Sequence, residues 1–230
     1  MFQRWEHLLF LHWAVEPETL RPTLPDELEV DCFEGKAWLA VVPFRMSGVR
    51  PRRLPAVPWL SSFLEMNVRT YVRDRQGRPG VWFYSLDCNQ PVAVEVARSL
   101  FKLDYYHARM QMADRPDGQG MEYSCWRRDR RSPARQQTIS HFEYEVTGTE
   151  AEAEPGSLDF FLVERYRLFS GQPGRVRTGR VWHEPYRLSP VEVTQWDGSA
   201  LQADGLNGIQ RDPDHLTYAR QVDVEVFPLE

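Results

Sequence analysis

The ten residues Phe63 to Val72, Phe-Leu-Glu-Met-Asn-Val-Arg-Thr-Tyr-Val, alternate in the way an extended strand requires. Side chains of a strand point to opposite faces with period two, so Glu65, Asn67, Arg69 and Tyr71 share one face while Leu64, Met66, Val68 and Val72 take the other. The apolar face calls for a core. The second face has two readings on spacing alone: a solvated surface on which Glu65 and Arg69 pair, or a pocket wall offering a carboxylate, an amide, a guanidinium and a phenol.

Other segments extend the pattern. Leu28 to Phe33 and Ala37 to Arg45 flank Glu34-Gly35-Lys36 and read as a tight hairpin, and the apolar stretch Trp38 to Val42 suits a strand buried on both faces. Pro51, Pro55 and Pro58 make a stiff loop before the polar-faced strand. Val81 to Leu86, following Gly77, Pro79 and Gly80, forms a second hairpin with Phe63 to Val72. The period then changes: Val92, Val96 and Leu100 recur every four residues beside Ala93, Ala97 and Phe101, and Asp87 or Asn89 with Pro91 can start a helix there. Beyond Ala108 shorter strands are divided by residues 114–120, 149–156 and 171–179. Ser189-Pro190-Val191-Glu192 matches a capping box and predicts a short helix toward Asp197, while Val222, Val224 and Val226 alternate with Asp223 and Glu225. The pattern predicts a mainly β (α+β) fold over residues 1–230 as a single domain: a closed or nearly closed antiparallel β-barrel with one longer and one or two short helices.

Composition narrows the partners. No apolar run approaches the length that crosses a bilayer, and the N-terminus lacks the charged and apolar regions of a signal peptide, so a cytoplasmic protein without a membrane partner is expected. Three widely spaced cysteines, Cys32, Cys88 and Cys125, suggest neither zinc nor a disulfide framework, and the six histidines show no close pair, so no metal and no cofactor is expected. Of 28 basic residues only Lys36 and Lys102 are lysines, which leaves those two amines and the chain's own N-terminus for any imine with a carbonyl substrate. The run Arg127-Arg128-Asp129-Arg130-Arg131, followed by Arg135, reads as a solvated hairpin edge. A net charge of -5 and the lack of a nucleic-acid motif argue against nucleic acid, and an interaction module using this run is a subsidiary reading.

Several segments together resemble the YqjF-like family of uncharacterised bacterial proteins: Leu8 to Val15, Gly35 to Arg50, Glu65 to Val72, Pro79 to Asp87, Ala97 to Ala108, Glu164-Arg165-Tyr166 and His183 to Leu188. That family looks like a branch of the acetoacetate-decarboxylase-like superfamily, whose fold is a β-barrel around a small-molecule pocket. The resemblance implies that Glu65 occupies the position of a pocket glutamate. It also aligns Ala97 to Ala108 with the decarboxylase segment ending in Pro-Lys-Lys, where this chain has Asp104, Tyr105 and Tyr106. A phenol can donate a hydrogen bond or carry a proton but cannot form an imine.

The sequence therefore points to an interior site for a small carbonyl or carboxylate compound. Glu65, Tyr105 and Tyr106 are the catalytic candidates, with Arg69, Asn67, Tyr71, His183 and His12 as ligand contacts. Adjacent Tyr105 and Tyr106 should diverge. Glu164 and Tyr166 should share a face opposite Arg165. If there is a reaction, proton transfer such as enolisation, hydration or dehydration is expected; the alternative is a binding or sensory protein without turnover. Self-association is left open.

Overall fold

The computed structural model describes residues 1–57, 59–116, 118, 120–129, 131 and 138–229. Pro58 of the proline loop, Arg130 of the arginine run and Arg135 lie outside the described residues. The chain opens with β1 (Phe2–Val15), α1 (Pro17–Leu20), a 3-10 turn at Arg21–Thr23 and β2 (Leu28–Val30). Three long strands follow, β3 (Ala37–Arg50), β4 (Phe63–Asp74) and β5 (Pro79–Cys88), before α2 (Pro91–Phe101). Next come β6 (Tyr105–Asp114), β7 (Met121–Arg127), β8 (Thr138–Val146), β9 (Ala151–Glu152) and α3 (Leu158–Val163). The remainder is β10 (Arg167–Ser170), β11 (Arg177–His183), β12 (Arg187–Ser189), β13 (Val191–Trp196), α4 (Ser199–Ala203) and β14 (His215–Val226).

Strand pairing follows a cycle. Starting at β4, each strand bonds to the next through β5, β10, β11, β14, β1 and β3, and β3 pairs with β4 again. The β5–β10 pair is parallel, and the approach there is close: a Cβ at Gly80 would stand 2.6 Å from Phe169 Cε2 and 2.8 Å from the Arg167 carbonyl oxygen, so this seam requires glycine. At its other end β5 pairs in parallel with β6, from which β7, β8 and β13 continue as an antiparallel sheet. Parallel neighbours need a crossover, and α2 supplies it.

Alternation along the long strands divides most of the apolar side chains between two cores, with a smaller cluster of Leu24, Leu28, Val72, Trp82 and Phe169 beside them. Leu8 and Phe10 of β1, Ala40, Val42 and Phe44 of β3, and Val222 and Val224 of β14 belong to one. Leu9, Leu11 and Trp13, with Leu39, Val41, Met66 and Val68, pack on the opposite side against Tyr123, Phe142 and Tyr144 of β7 and β8. Trp5 and Leu8 both face the first core despite their odd spacing, because β1 is irregular between Glu6 and Leu11 and His7 takes φ 53°.

Four sequence expectations are corrected. The sheet is not wholly antiparallel, since β5 makes two parallel pairings. Three short α-helices accompany α2 among the described residues, one more than the upper expectation. Leu28 to Phe33 does not form a hairpin with β3: Phe33 and Lys36 bridge a tight turn at Gly35, but β2 pairs with Val72 to Asp74 of β4, beyond the point where β3 begins its pairing at Leu39 opposite Thr70. The capping-box segment is strand β13, because Val191, Val193 and Thr194 suit an extended chain and β8 offers an edge, with Val191 opposite Val146. The helix begins only at Ser199.

The arginine run is corrected too. Arg127 is 2% exposed, so it belongs to the interior rather than a solvated edge. Its guanidinium donates to both Asp87 oxygens at 2.7 and 3.0 Å, to Asp204 Oδ1 at 2.9 Å and to Ser85 Oγ at 2.7 Å. That network joins β7 to β5 and to the residue after α4, and it withdraws Arg127 from any surface partner. Arg127→Ala should strand two buried carboxylates and cost about 3–5 kcal/mol. Urea unfolding measures this, and a loss below ~1 kcal/mol would show the network to be dispensable.

Candidate functional site

Glu65, Asn67 and Arg69 alternate along β4, and the bond pattern to β3 turns all three toward the first core. They meet a cavity of ≈ 160 Å³ at the end of the strand cycle where β1 and β4 begin and β14 finishes. Its walls are chiefly apolar, including Trp5, Phe44, Phe63 and Phe83, and α2 contributes Ala93, Val96 and Ala97. The polar side chains that reach it are Gln3, Glu65, Asn67, Arg69 and Tyr105.

Glu65 is 3% exposed and does not pair with Arg69. Instead the Tyr105 hydroxyl, at the start of β6, donates to Glu65 Oε2 at 2.8 Å. Burial pushes the Glu65 carboxyl up to about 8; the Tyr105 bond opposes that rise and the nearby Asp87 charge adds to it. The Tyr105 phenol is raised well above its ordinary value, first by burial and then by Glu65. Tyr123 of β7 donates to the backbone carbonyl of Glu65 at 2.8 Å, so the outer sheet holds β4 in place directly behind the carboxyl.

Arg69 is 9% exposed and, among the described residues, has no carboxylate partner. Its guanidinium carbon lies 5.5 Å from the Phe10 ring centre and 5.7 Å from that of Tyr71, which stabilises a cation without neutralising it. Arg69 Nε and Asn67 Oδ1 are buried with no hydrogen-bond partner. An unanswered donor and acceptor on neighbouring positions of one wall are the groups a polar ligand would satisfy.

The other expected residues lie elsewhere. Tyr71 turns to the same core but away from the cavity, and its hydroxyl meets His12 Nε2 at 2.9 Å; His12 Nδ1 in turn lies 3.2 Å from His215 Nδ1. His12 is held well below the ordinary histidine value, first by burial and then by His215 and Arg69, so it is neutral. His183 stacks on Tyr166 at 4.6 Å and bonds the Glu184 carbonyl at 2.8 Å; burial lowers its pKa as well. Tyr106 diverges from Tyr105 and covers Arg127, with 4.7 Å between the ring centre and the guanidinium carbon. None of these four lines the cavity. Glu164 and Tyr166 bond to each other while Arg165 turns to Asp31 at 2.5 Å, although the triplet follows α3 instead of lying in a strand.

Lys102 ends α2 with φ 52° and is exposed, and Lys36 pairs with Glu16 at the surface, so neither lysine side chain borders the cavity. Among the described residues no group of three or more His, Cys, Asp or Glu could hold a metal ion, and no helix is long and apolar enough to cross a membrane. The apolar wall supplied by α2 was missed by the sequence reading. Its only signal was that Ala93 and Ala97 lie beside Val92 and Leu100, which the structure leaves exposed.

Residues 2–223 match the model of the DUF2071 family, described as uncharacterised conserved proteins. The chain belongs to that family. It is 34% identical over 229 residues to the uncharacterised protein YqjF of Bacillus subtilis strain 168, covering 100% of this chain and 91% of that one. Solved structures share the fold at low identity. An acetoacetate decarboxylase-like enzyme from Sphingomonas wittichii RW1 superposes with a TM-score of 0.62 at 13% identity, covering 100% of this chain and 92% of that chain. An acetoacetate decarboxylase gives 0.63 at 12%, covering 99% and 89%. The enduracididine biosynthesis enzyme MppR, complexed with the condensation product of pyruvate and imidazole 4-carboxaldehyde, gives 0.63 at 13%, covering 100% and 88%. The chain is therefore a YqjF-like protein of acetoacetate-decarboxylase-like fold.

The Glu65 proton carries a stability signature. An unfolded Glu65 loses its proton near 4.5 and the folded one near 8, so between those values the native state binds the extra proton and stability falls as pH rises. That contribution is complete below the lower value and gone above the upper one. Glu65→Gln should therefore gain on the wild type by a few kcal/mol from pH 5 to 9, at ~1.4 kcal/mol per pKa unit. Thermal melts across that range check it, and parallel profiles for the two proteins would contradict the buried, protonated carboxyl.

Proposed function

We propose that the strand cycle is a closed β-barrel forming one domain, and that its cavity binds a small carbonyl or carboxylate compound. The observation carrying this reading is the unpaired Arg69 guanidinium on an apolar cavity wall, with Arg69 Nε and Asn67 Oδ1 both lacking partners. A planar two-pronged donor suits a carboxylate, and binding one would neutralise a charge that is otherwise costly to bury. Size supports a compact ligand: an apolar cavity of ~150 Å³ accommodates benzene, so about six heavy atoms fit a hollow of ≈ 160 Å³. Short oxo acids have that size and both functional groups. MppR, of like fold, is described in complex with pyruvate.

Imine chemistry forms no part of the proposal: both lysine side chains stand at the surface, a phenol occupies the cavity beside Glu65, and the amine of Met1, a residue of the cavity wall, is engaged with the Val226 carbonyl at 2.7 Å. Glu65 and Tyr105 favour proton transfer. A carboxyl titrating at about 8 exists in both forms near neutrality, the condition under which an acid–base group works in either direction. With Arg69 holding the carboxylate, Glu65 would take a proton from the carbon beside the carbonyl and Tyr105 would donate to the developing enolate oxygen. Binding without turnover is the second reading, favoured by the Tyr105 bond that already occupies one Glu65 oxygen.

Pyruvate and acetoacetate should raise the melting temperature of the wild type, and Arg69→Met should abolish the shift while remaining folded. Deuterium exchange at the pyruvate methyl, followed by NMR and lost in Glu65→Gln, separates catalysis from binding. Borohydride treatment should leave Lys36 and Lys102 unmodified. Equal melting shifts in wild type and Arg69→Met would remove the ligand assignment, and a borohydride adduct on either lysine or on the Met1 amine would restore imine chemistry.

A further inference from the structure

A second cleft, of ≈ 530 Å³, lies on the other side of Tyr105 and Leu103, and those two residues border both hollows. The same elements build the two. Helix α2 turns Val96 and Ala97 to the cavity and Arg98 to the cleft, ending at Lys102; the β10 strand gives Leu168 to the cavity, while Arg175 of the loop after it and Arg177 at the start of β11 line the cleft. Arg131 completes the basic wall.

The charges of this cleft are unbalanced. Arg98 is paired with Asp129 and Glu95, and the Arg131 charge also acts on Glu95, but Lys102, Arg175 and Arg177 have no carboxylate partner among the described residues, and Asp104 is the single acid on the described part of the wall. Among the described residues three unanswered cations, with Arg131 beside them, face one acid, against the chain's net charge of -5. Like charges brought together raise the local potential and repel one another unless an anion joins them. One carboxylate needs one guanidinium, so this number fits a multiply charged group of the phosphate type. Lys102 also stands at φ 52°, a position that glycine usually fills, and its side chain lines the cleft.

We propose that the ligand has two parts: a phosphate-type anion seated among Lys102, Arg131, Arg175 and Arg177, and a small carbonyl or carboxylate end passing Tyr105 and Leu103 to Arg69. This deepens the cavity reading and rests on it for the second part only. The cleft alone is probed with inorganic pyrophosphate at low salt. Pyrophosphate should raise the melting temperature of the wild type and of Arg69→Met, but not of a Lys102→Ala, Arg175→Ala, Arg177→Ala triple variant. A charge-preserving Lys102→Arg, Arg175→Lys, Arg177→Lys variant should keep the shift. These three side chains are exposed, so the substitutions leave both cores intact.

Coupling of the two parts is measured with 2-oxo acids carrying a terminal phosphonate on chains of increasing length. One length should bind at least tenfold tighter than pyruvate, with the gain lost in the triple alanine variant. No pyrophosphate shift, or an equal shift in the triple alanine variant, overturns the anion site. A pyrophosphate response with no phosphonate binding better than pyruvate overturns the two-part ligand. If pyruvate fails but the pyrophosphate pattern holds, the cavity reading falls and the anion site stands.

Discussion

Strand β5 is bonded along one edge to β4 and along the other to two different strands, β10 near its start and β6 near its end. The rest of the architecture follows from that divided edge. Pairing with β10 returns the strands to β4 and gives the first core its enclosure, while pairing with β6 sends the chain outward to build the second sheet. Both seams are parallel, so each requires a connection that leaves the sheet and comes back. Between β5 and β6 that connection is α2, which crosses the open end of the strand cycle. Gly80 permits one seam by lacking a side chain where Phe169 approaches.

The same arrangement explains why charged groups persist in an apolar interior. Ionised Glu65 would be costly to bury, and it responds by keeping its proton to about 8 and accepting a hydrogen bond from Tyr105. Arg69 has no comparable escape, since a guanidinium cannot readily lose its proton. The rings of Phe10 and Tyr71 supply partial compensation. By contrast, Arg127 is surrounded by Asp87, Asp204 and Ser85, an arrangement whose bonding is satisfied within the chain and which fastens β5, β7 and the end of α4 together. Two buried arginines, Arg69 of β4 and Arg127 of β7, thus differ in what their surroundings leave undone.

Much of the fold was legible. Alternation along Phe63 to Val72 and Val222 to Val226 identified long half-buried strands, and the β4–β5 hairpin followed from Gly77 and Pro79. The helix at Val92 was visible by its period, and Gln90, instead of Asp87 or Asn89, caps it by accepting from Val92 N. The errors have a common origin. Ser189 to Glu192 satisfies a local capping pattern, yet the free edge of β8 outweighs it and takes the chain from Val191; Leu28 to Val30 adjoins a tight turn, yet the end of β4 beyond its pairing with β3 takes it. In both cases a distant strand supplied hydrogen bonds that local sequence cannot register.

The candidate site divides along similar lines. Period two was enough to put Glu65, Asn67 and Arg69 on a common face, because alternation is a property of the extended backbone itself. It was also enough to separate Tyr105 from Tyr106. Which face looked inward, which tyrosine met Glu65, and that His12, Tyr71 and His183 bond among themselves and their neighbours away from the hollow were decided by tertiary structure. Likewise the sequence showed arginines in a row, but only the packing of β7 against β5 made Arg127 internal. Sequence determined the side-chain chemistry and its spacing along each strand; pairing between strands far apart in the chain determined which groups lost water, and loss of water is what turns a polar row into a site.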